Sequence, residues 1–268
     1  MRNTLRITQT AQTVANLMGF SMPETADAAN ALVVKTAQTQ WGGRKAERAL
    51  LYNPDAIAHW LFQKYPQLFL QVIQNSQMAL PVCSVMPSVT PVCFASMYTG
   101  LAPVDHGIQA YVKPVLRVTT LFDAALAAGH RPIIISTEGD SISKIFLERD
   151  MDYIICKTHQ ECNAKAEEVL AADKHDIIAL YNGNYDSVMH RNGPEAEISL
   201  NQIAENGQTF AKLSALARKA WAGKPGLTAF LPDHGCHEID GQLGSHGLEM
   251  EEDMNIVHFY QFSGGERV

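Results

Sequence analysis

The feature that most constrains this chain is an alternation of strand-sized apolar runs with helix-periodic stretches. The runs cover residues 49–52, 133–136, 153–156, 177–181, 227–231 and 256–260, and are rich in Ile, Leu, Phe and Tyr. Short continuous apolar runs suit strands buried on both faces, as in a parallel sheet covered by helices. Between them lie helical patterns at 56–64, 115–128, 142–149, 160–172 and 197–222, several closing on a glycine such as Gly129 or Gly223. This order predicts an α/β fold: a doubly wound, mostly parallel sheet with helices on both faces and right-handed crossovers. Residues 1–45 differ, since two helical stretches, 10–18 and 24–39, precede the first run and are expected to pack against the sheet's edge. No repeat, low-complexity tract or Gly/Ser linker interrupts the 268 residues, so a single domain spanning 1–268 is expected.

Composition serves mainly to exclude. With 21 Lys+Arg against 28 Asp+Glu the formal charge is −7. A chain without a basic excess is not suited to a phosphate backbone, so nucleic acid is not an expected partner. No window reaches the ~18 apolar residues of a membrane span, so no membrane partner is expected. The first twenty residues lack the apolar core of a secretory signal. Five cysteines without a C-x-x-C pair argue against a disulfide framework and for a reducing, cytoplasmic setting. Neither a Walker A motif nor a G-x-G-x-x-G run is present, which removes P-loop and dinucleotide cofactors.

In doubly wound sheets ligands bind beyond the carboxyl ends of the strands. Three aspartates stand there: Asp55, Asp186 and Asp233. Asp186 and His190 are four apart, hence on one face of a helical turn that Gly193-Pro194 ends. His234 follows Asp233 directly, and His246 lies in a glycine-flanked loop. Alone, each has a plain reading: a helix cap, a surface pair, a loop histidine. Together they are three carboxylates and three imidazoles on one functional edge. That donor set suits zinc, and also manganese or iron, in open catalytic coordination. Six ligands are too many for one catalytic zinc with three, and right for two metals with three each.

A further element is the segment Pro87–Gly100. Thr90 is expected as the N-cap of a helix, with Pro91 at its first position and Gly100 at its exit. A helix N-terminus presents free N–H groups and about half a positive charge, which suits a phosphate. A hydroxyl placed there against a metal ionises near neutral pH and becomes a nucleophile.

These residues resemble the alkaline phosphatase superfamily, most closely its nucleotide pyrophosphatase/phosphodiesterase-like branch. PSVTPVCFASMYTGLAPVDHGI is similar to the family's nucleophile segment, DSVMHRNGP to its D-x-x-G-H-x-x-G-P, with Met189 for a glycine, and DHG and the later HG to its last two motifs. The resemblance spans about residues 46–260 and implies an alkaline-phosphatase-like fold; the 268 residues leave little room for the large cap of relatives, so a short or absent cap is expected. It implies one metal on Asp186, His190 and His246, and a second on Asp55, Asp233 and His234 with Thr90 as nucleophile. Cys93 stands where the branch often has an asparagine that binds a phosphate oxygen, so it becomes a candidate substrate contact. The implied activity is hydrolysis of a small phosphorylated substrate, a phosphodiester or nucleotide pyrophosphate, through a phosphothreonine. The alternatives are a phosphomonoesterase, a phosphomutase, or a non-catalytic metal-binding relative; every ligand position is filled, which argues against the last. Other polar residues have plainer readings: His258 as a core histidine, His59 as a packing residue, and His237 with Glu238 as supports for the ligands. Lys113 stands near the H-G-I segment without an assigned role.

Overall fold

The computed structural model describes residues 1–264. Its strands are β1 (Leu5–Arg6), β2 (Arg48–Pro54), β3 (Met78–Cys83), β4 (Pro132–Thr137), β5 (Asp152–Cys156), β6 (Ile177–Asn182), β7 (Gly226–Phe230), β8 (His237–Ile239), β9 (Leu243–Ser245) and β10 (Asn255–Ser263). Eight of them form one sheet in the order β1-β3-β10-β7-β2-β6-β4-β5, while β8 and β9 form a separate hairpin. Every pairing in the large sheet is parallel except those of β10, which runs antiparallel to both β3 and β7. The expected α/β sheet with helices on both faces is therefore present.

The period-two geometry of a strand sends neighbouring side chains to opposite faces, and β2 displays it. Ala49 and Leu51 enter one apolar cluster, Leu50 and Tyr52 the other. The first cluster is closed by the helices Gln9–Met18, Thr90–Thr99 and Leu121–Ala127. The second is closed by His59–Lys64, His159–Ala172, Asn184–Asn192 and the long Glu197–Ala220.

Several sequence expectations need correction. The N-terminal helix packs on a face of the sheet, its Val14 and Leu17 sharing a cluster with Leu51 and Phe94, while Leu5–Arg6 extends the edge as β1. The second helix is Ala31–Gln40, starting where Asn30 Oδ1 accepts from the N–H groups of Leu32 and Val33 at 3.1 and 3.2 Å. The stretch 115–128 is helical only over Leu121–Ala127, because Thr120 and Asp123 form a capping box that starts the helix there. Strand β3 has no counterpart among the expected runs, since Pro81 cannot donate to a ladder. It is tolerated because β1 pairs only with Val82 and Cys83, leaving that side of Pro81 uncovered by a partner strand.

Candidate metal centre

Strands β7, β2 and β6 are consecutive neighbours and mutually parallel, so their carboxyl ends lie side by side. Asp55 leaves β2, Asp186 lies in the first turn of the helix after β6, and Asp233 follows β7. The sheet order is what brings the three carboxylates together. Around Asp55 the chain turns through Ala56, whose φ of 62° lies in the left-handed region, a conformation costing a non-glycine residue roughly 1–2 kcal/mol. The Ala56 N–H donates to Asp233 Oδ1 at 3.3 Å, which ties the two loops to each other.

The six residues form two groups of three: Asp186, His190 and His246, and Asp55, Asp233 and His234. Within each group one donor atom per residue lies within 4.8 Å of the others. His190 Nε2 and His246 Nε2 stand 3.2 and 3.3 Å from Asp186 Oδ1. His234 Nε2 stands 3.3 Å from Asp55 Oδ1 and 3.4 Å from Asp233 Oδ2. The second group is fully buried; the first is partly open.

Two observations test whether cations fit here. Asp55 Oδ1, Asp186 Oδ1 and Asp233 Oδ2 are all buried without a hydrogen-bond partner, and such oxygens need a compensating charge or donor. In addition, each histidine has its Nδ1 against a backbone carbonyl: His190 on Gly244 at 2.9 Å, His234 on Gly235 at 2.9 Å, His246 on Ser88 at 3.0 Å. A carbonyl only accepts, so Nδ1 carries a proton in each ring and Nε2 is the atom turned towards the carboxylates. The residues present fit a pair of divalent cations.

The electrostatics point the same way. Burial, then the charge of Asp186, pushes the Asp55 carboxyl up to about 7. Burial, then the charge of Asp55, holds Asp233 well above the ordinary carboxylate range. Burial, then the neighbouring His246, lowers His234 to about 3, so this ring is neutral. Asp186 is the exception: burial opposes its ionisation, but His190 and His246, with Nε2 atoms 3.2 and 3.3 Å away, hold it below its ordinary value.

Thr90 heads the buried helix Thr90–Thr99, and its Oγ1 lies 3.3 Å from Asp55 Oδ2 and 3.4 Å from His234 Nε2. The expected role of N-cap is not the one it takes. The cap position is Val89, and the Thr90 side chain makes no cap bond because it turns into the cluster instead. Cys93 is placed differently from the expectation. Its thiol has no exposed surface, accepts from Ser84 Oγ at 3.2 Å and is pushed up by burial. It offers no open face to a phosphate oxygen, so we leave it out of the site.

Three supports emerge only from the structure. Tyr181, at the end of β6, donates its hydroxyl to Asp55 Oδ2. Its apolar, strand-like context gives no signal of this. The β8–β9 hairpin carries His246 and docks on the helix of His190 through Gly244, where a Cβ would lie 2.6 Å from the Met189 carbonyl oxygen. Gly235 has the same constraint, its Cβ direction being occupied by the Glu252 carbonyl. His237, suspected of supporting the ligands, bonds Asp253 Oδ1 at 2.7 Å, and Asp253 in turn accepts from Leu248 N and, through its carbonyl, from Gly235 N. His258 is the core histidine expected, with Nε2 donating to the Pro232 carbonyl at 2.9 Å.

No family model matches this chain, and no curated protein does. Solved structures do. Human ectonucleotide pyrophosphatase/phosphodiesterase 5 aligns with a TM-score of 0.58 at 18% identity over 72% of this chain and 58% of its own. The mouse protein in complex with AMP aligns at 0.57 and 17%, over 73% and 59%. Phosphonoacetate hydrolase from Sinorhizobium meliloti, in complex with phosphonoformate, aligns at 0.54 and 18%, over 73% and 59%. The chain thus spans about three fifths of the length of each of these neighbours. The fold is the alkaline-phosphatase-like α/β fold shared with these neighbours. Among the described residues no helix is long and apolar enough to cross a membrane.

Proposed function

We propose that this protein is a metal-dependent hydrolase of phosphoric esters that works through a threonine nucleophile. Asp186, His190 and His246 would hold one divalent cation and Asp55, Asp233 and His234 the other. Zinc is the best match to this donor set, with manganese or iron compatible. The carrying observation is that three buried carboxylate oxygens without partners face three imidazole Nε2 atoms beside the Thr90 hydroxyl. When bound, the cations supply positive charge that lowers the pKa of a nearby hydroxyl and offsets charge on a phosphoryl group.

The chain's own residues set the direction of reaction. Thr90 Oγ1 donates to Asp55 Oδ2, a carboxylate oxygen on which its proton can be lost, and lies 3.4 Å from His234 Nε2, beside the residues that would hold the second cation. Rigid packing of the helix Thr90–Thr99, buried throughout, holds that oxygen for in-line attack on phosphorus. The bond from phosphorus to the leaving oxygen breaks, and Thr90 becomes a phosphothreonine that water then cleaves. The positive end of the Thr90–Thr99 helix also favours the anionic group. A small phosphorylated molecule is the substrate class. Diester or pyrophosphate substrates come first in this reading, because the fold neighbours named for an activity on nucleotides are pyrophosphatase/phosphodiesterases.

The test is turnover of p-nitrophenyl phosphate and bis-p-nitrophenyl phosphate by metal-loaded protein, with and without chelator. Chelator-sensitive release of nitrophenol, lost in Thr90→Ala at unchanged metal content, is expected. Metal-loaded protein inert towards both esters and towards a nucleotide panel sinks the reading, and a Thr90→Ala variant of full activity sinks the nucleophile. Conversion of a sugar phosphate to its isomer without phosphate release would move the protein to the phosphomutases.

A further inference from the structure

The cleft onto which Asp55, Thr90 and Asp186 open has a second wall that the hydrolysis itself does not need. The cleft encloses about 410 Å³ and is also lined by Tyr111, Lys113, Lys157 and Arg191. Three separate elements deliver these cations: the segment after the helix Pro103–His106, the exit of β5, and the helix Asn184–Asn192. Among the described residues none of the three has a carboxylate within ion-pair distance. The one other carboxylate on this wall, Asp140, is already engaged by Ser136 Oγ at 3.1 Å and the Thr137 N–H at 3.0 Å. Lys113 is held in place, its Nζ donating to the Gly139 carbonyl at 2.8 Å and lying 5.1 Å from the centre of the Tyr111 ring. Asn184, buried on the same wall, bonds Gln202 through Nδ2 at 3.0 Å and leaves its Oδ1 without a partner.

A chain of net charge −7 that collects three unpaired cations in one cleft is arranged for an anion. The transferred phosphoryl group already has the paired metal sites to answer its charge. The extra cations therefore face the rest of the substrate. We propose that this wall is a subsite for a leaving group that bears its own anionic substituent, a carboxylate or a second phosphate. The subsite rests on the phosphoric-ester reading above and deepens it. Lys113, Lys157 and Arg191 take the charge, while Asn184 Oδ1 accepts a hydroxyl or amine hydrogen next to it.

The experiment compares 4-carboxyphenyl phosphate with 4-carbamoylphenyl phosphate, of nearly the same shape but one charge apart, and adds 1,4-phenylene bisphosphate as the phosphate arm. Metal-loaded protein is expected to favour a charged ester over the carbamoyl ester by roughly tenfold in kcat/KM. That preference should shrink several-fold between roughly 50 and 500 mM salt. In the triple variant Lys113→Gln/Lys157→Gln/Arg191→Gln the ratio should approach one. Calorimetric binding of 4-carboxyphenylphosphonate against 4-carbamoylphenylphosphonate, which are not turned over, should show the same ratio and its loss. A larger effect for the bisphosphate identifies phosphate as the substituent, and a larger effect for the carboxylate identifies that group. Should the triple variant fail to fold, Arg191→Gln alone and the salt series decide. Equal turnover and equal binding of charged and neutral partners overturns the subsite and leaves the hydrolase reading standing. Should none of these monoesters turn over, the phosphonate binding ratio decides the subsite, and inertness towards the diester and the nucleotide panel as well overturns the parent reading instead.

Discussion

Replacing Asp233 by Asn should stabilise the metal-free protein and weaken the metal-loaded one, and this reversal tests the metal centre directly. Asp233 and Asp55 present oxygens within 4.8 Å of each other, both buried, and among the described residues neither has a Lys or Arg at ion-pair distance. At that separation two negative charges repel by about 3 kcal/mol at an effective dielectric of about 20. The fold escapes by keeping the Asp233 proton, since burial and the Asp55 charge hold its carboxyl well above the ordinary 3.8. The unfolded chain loses that proton as pH rises past about 4 while the folded chain keeps it, so stability falls with rising pH. An amide in place of the carboxyl has no such proton to lose. Urea unfolding in chelator should therefore show Asp233→Asn more stable by about 3 kcal/mol near pH 8, with the gain gone near pH 4. With zinc at about a thousandfold over its Kd the wild type gains about 4 kcal/mol, and the variant, short of one anionic ligand, should fall below it. A variant less stable than wild type in chelator near pH 8, or a gain that persists near pH 4, would refute the argument that unanswered charge strains this cluster.

Three further outcomes are expected. Thr90→Ala should lower turnover roughly a thousandfold or more yet change stability by only about 1 kcal/mol, because its hydroxyl contacts are long at 3.3 and 3.4 Å; unfolding midpoints and kcat on one sample separate the two. Gly235→Ala should cost at least about 3 kcal/mol and release metal, since its Cβ meets the Glu252 carbonyl; a normal melting temperature would mean the loop has room. His258 is buried and its pKa is lowered to about 4 from 6.5, mainly by desolvation. The unfolded chain then takes up a proton below pH 6.5 that the fold refuses until about 4, so about 3 kcal/mol of stability disappears as pH falls through that window. In His258→Gln that part of the acid sensitivity should be missing when denaturation at pH 7 and near pH 4 is compared; an unchanged difference between the two proteins counts against it.

Much of the fold was readable along the chain. The runs at 49–52, 177–181 and 227–231 lie inside β2, β6 and, but for its last residue, β7, because burial on both faces demands unbroken apolar sequence. The i,i+4 spacing of Asp186 and His190 was enough to place both on one helical face, a purely local relation. Where Thr90 and Cys93 would point was not local. Thr90 forgoes capping because Asp55 and His234, distant in sequence, offer its hydroxyl a better environment, and Cys93 turns inward because Ser84 meets it there. Tyr181, Lys157 and Arg191 carry no local signal for the same reason, as nothing beside them in the chain announces the cleft they share.

By itself the amino-acid order determined the strands β2, β4, β5, β6, β7 and β10 and most of the helices between them, and that aspartates stand just past strand exits. These follow from periodicity and turn chemistry, which act between residues a few positions apart. The tertiary structure alone decided that β7, β2 and β6 are neighbours, that β10 runs antiparallel, and that the β8–β9 hairpin folds back to deliver His246. Strand order depends on which distant surfaces bury each other best, and no local pattern encodes that choice. Three carboxylates that are each ordinary in the chain become one candidate metal-ligand cluster only when that order sets them side by side.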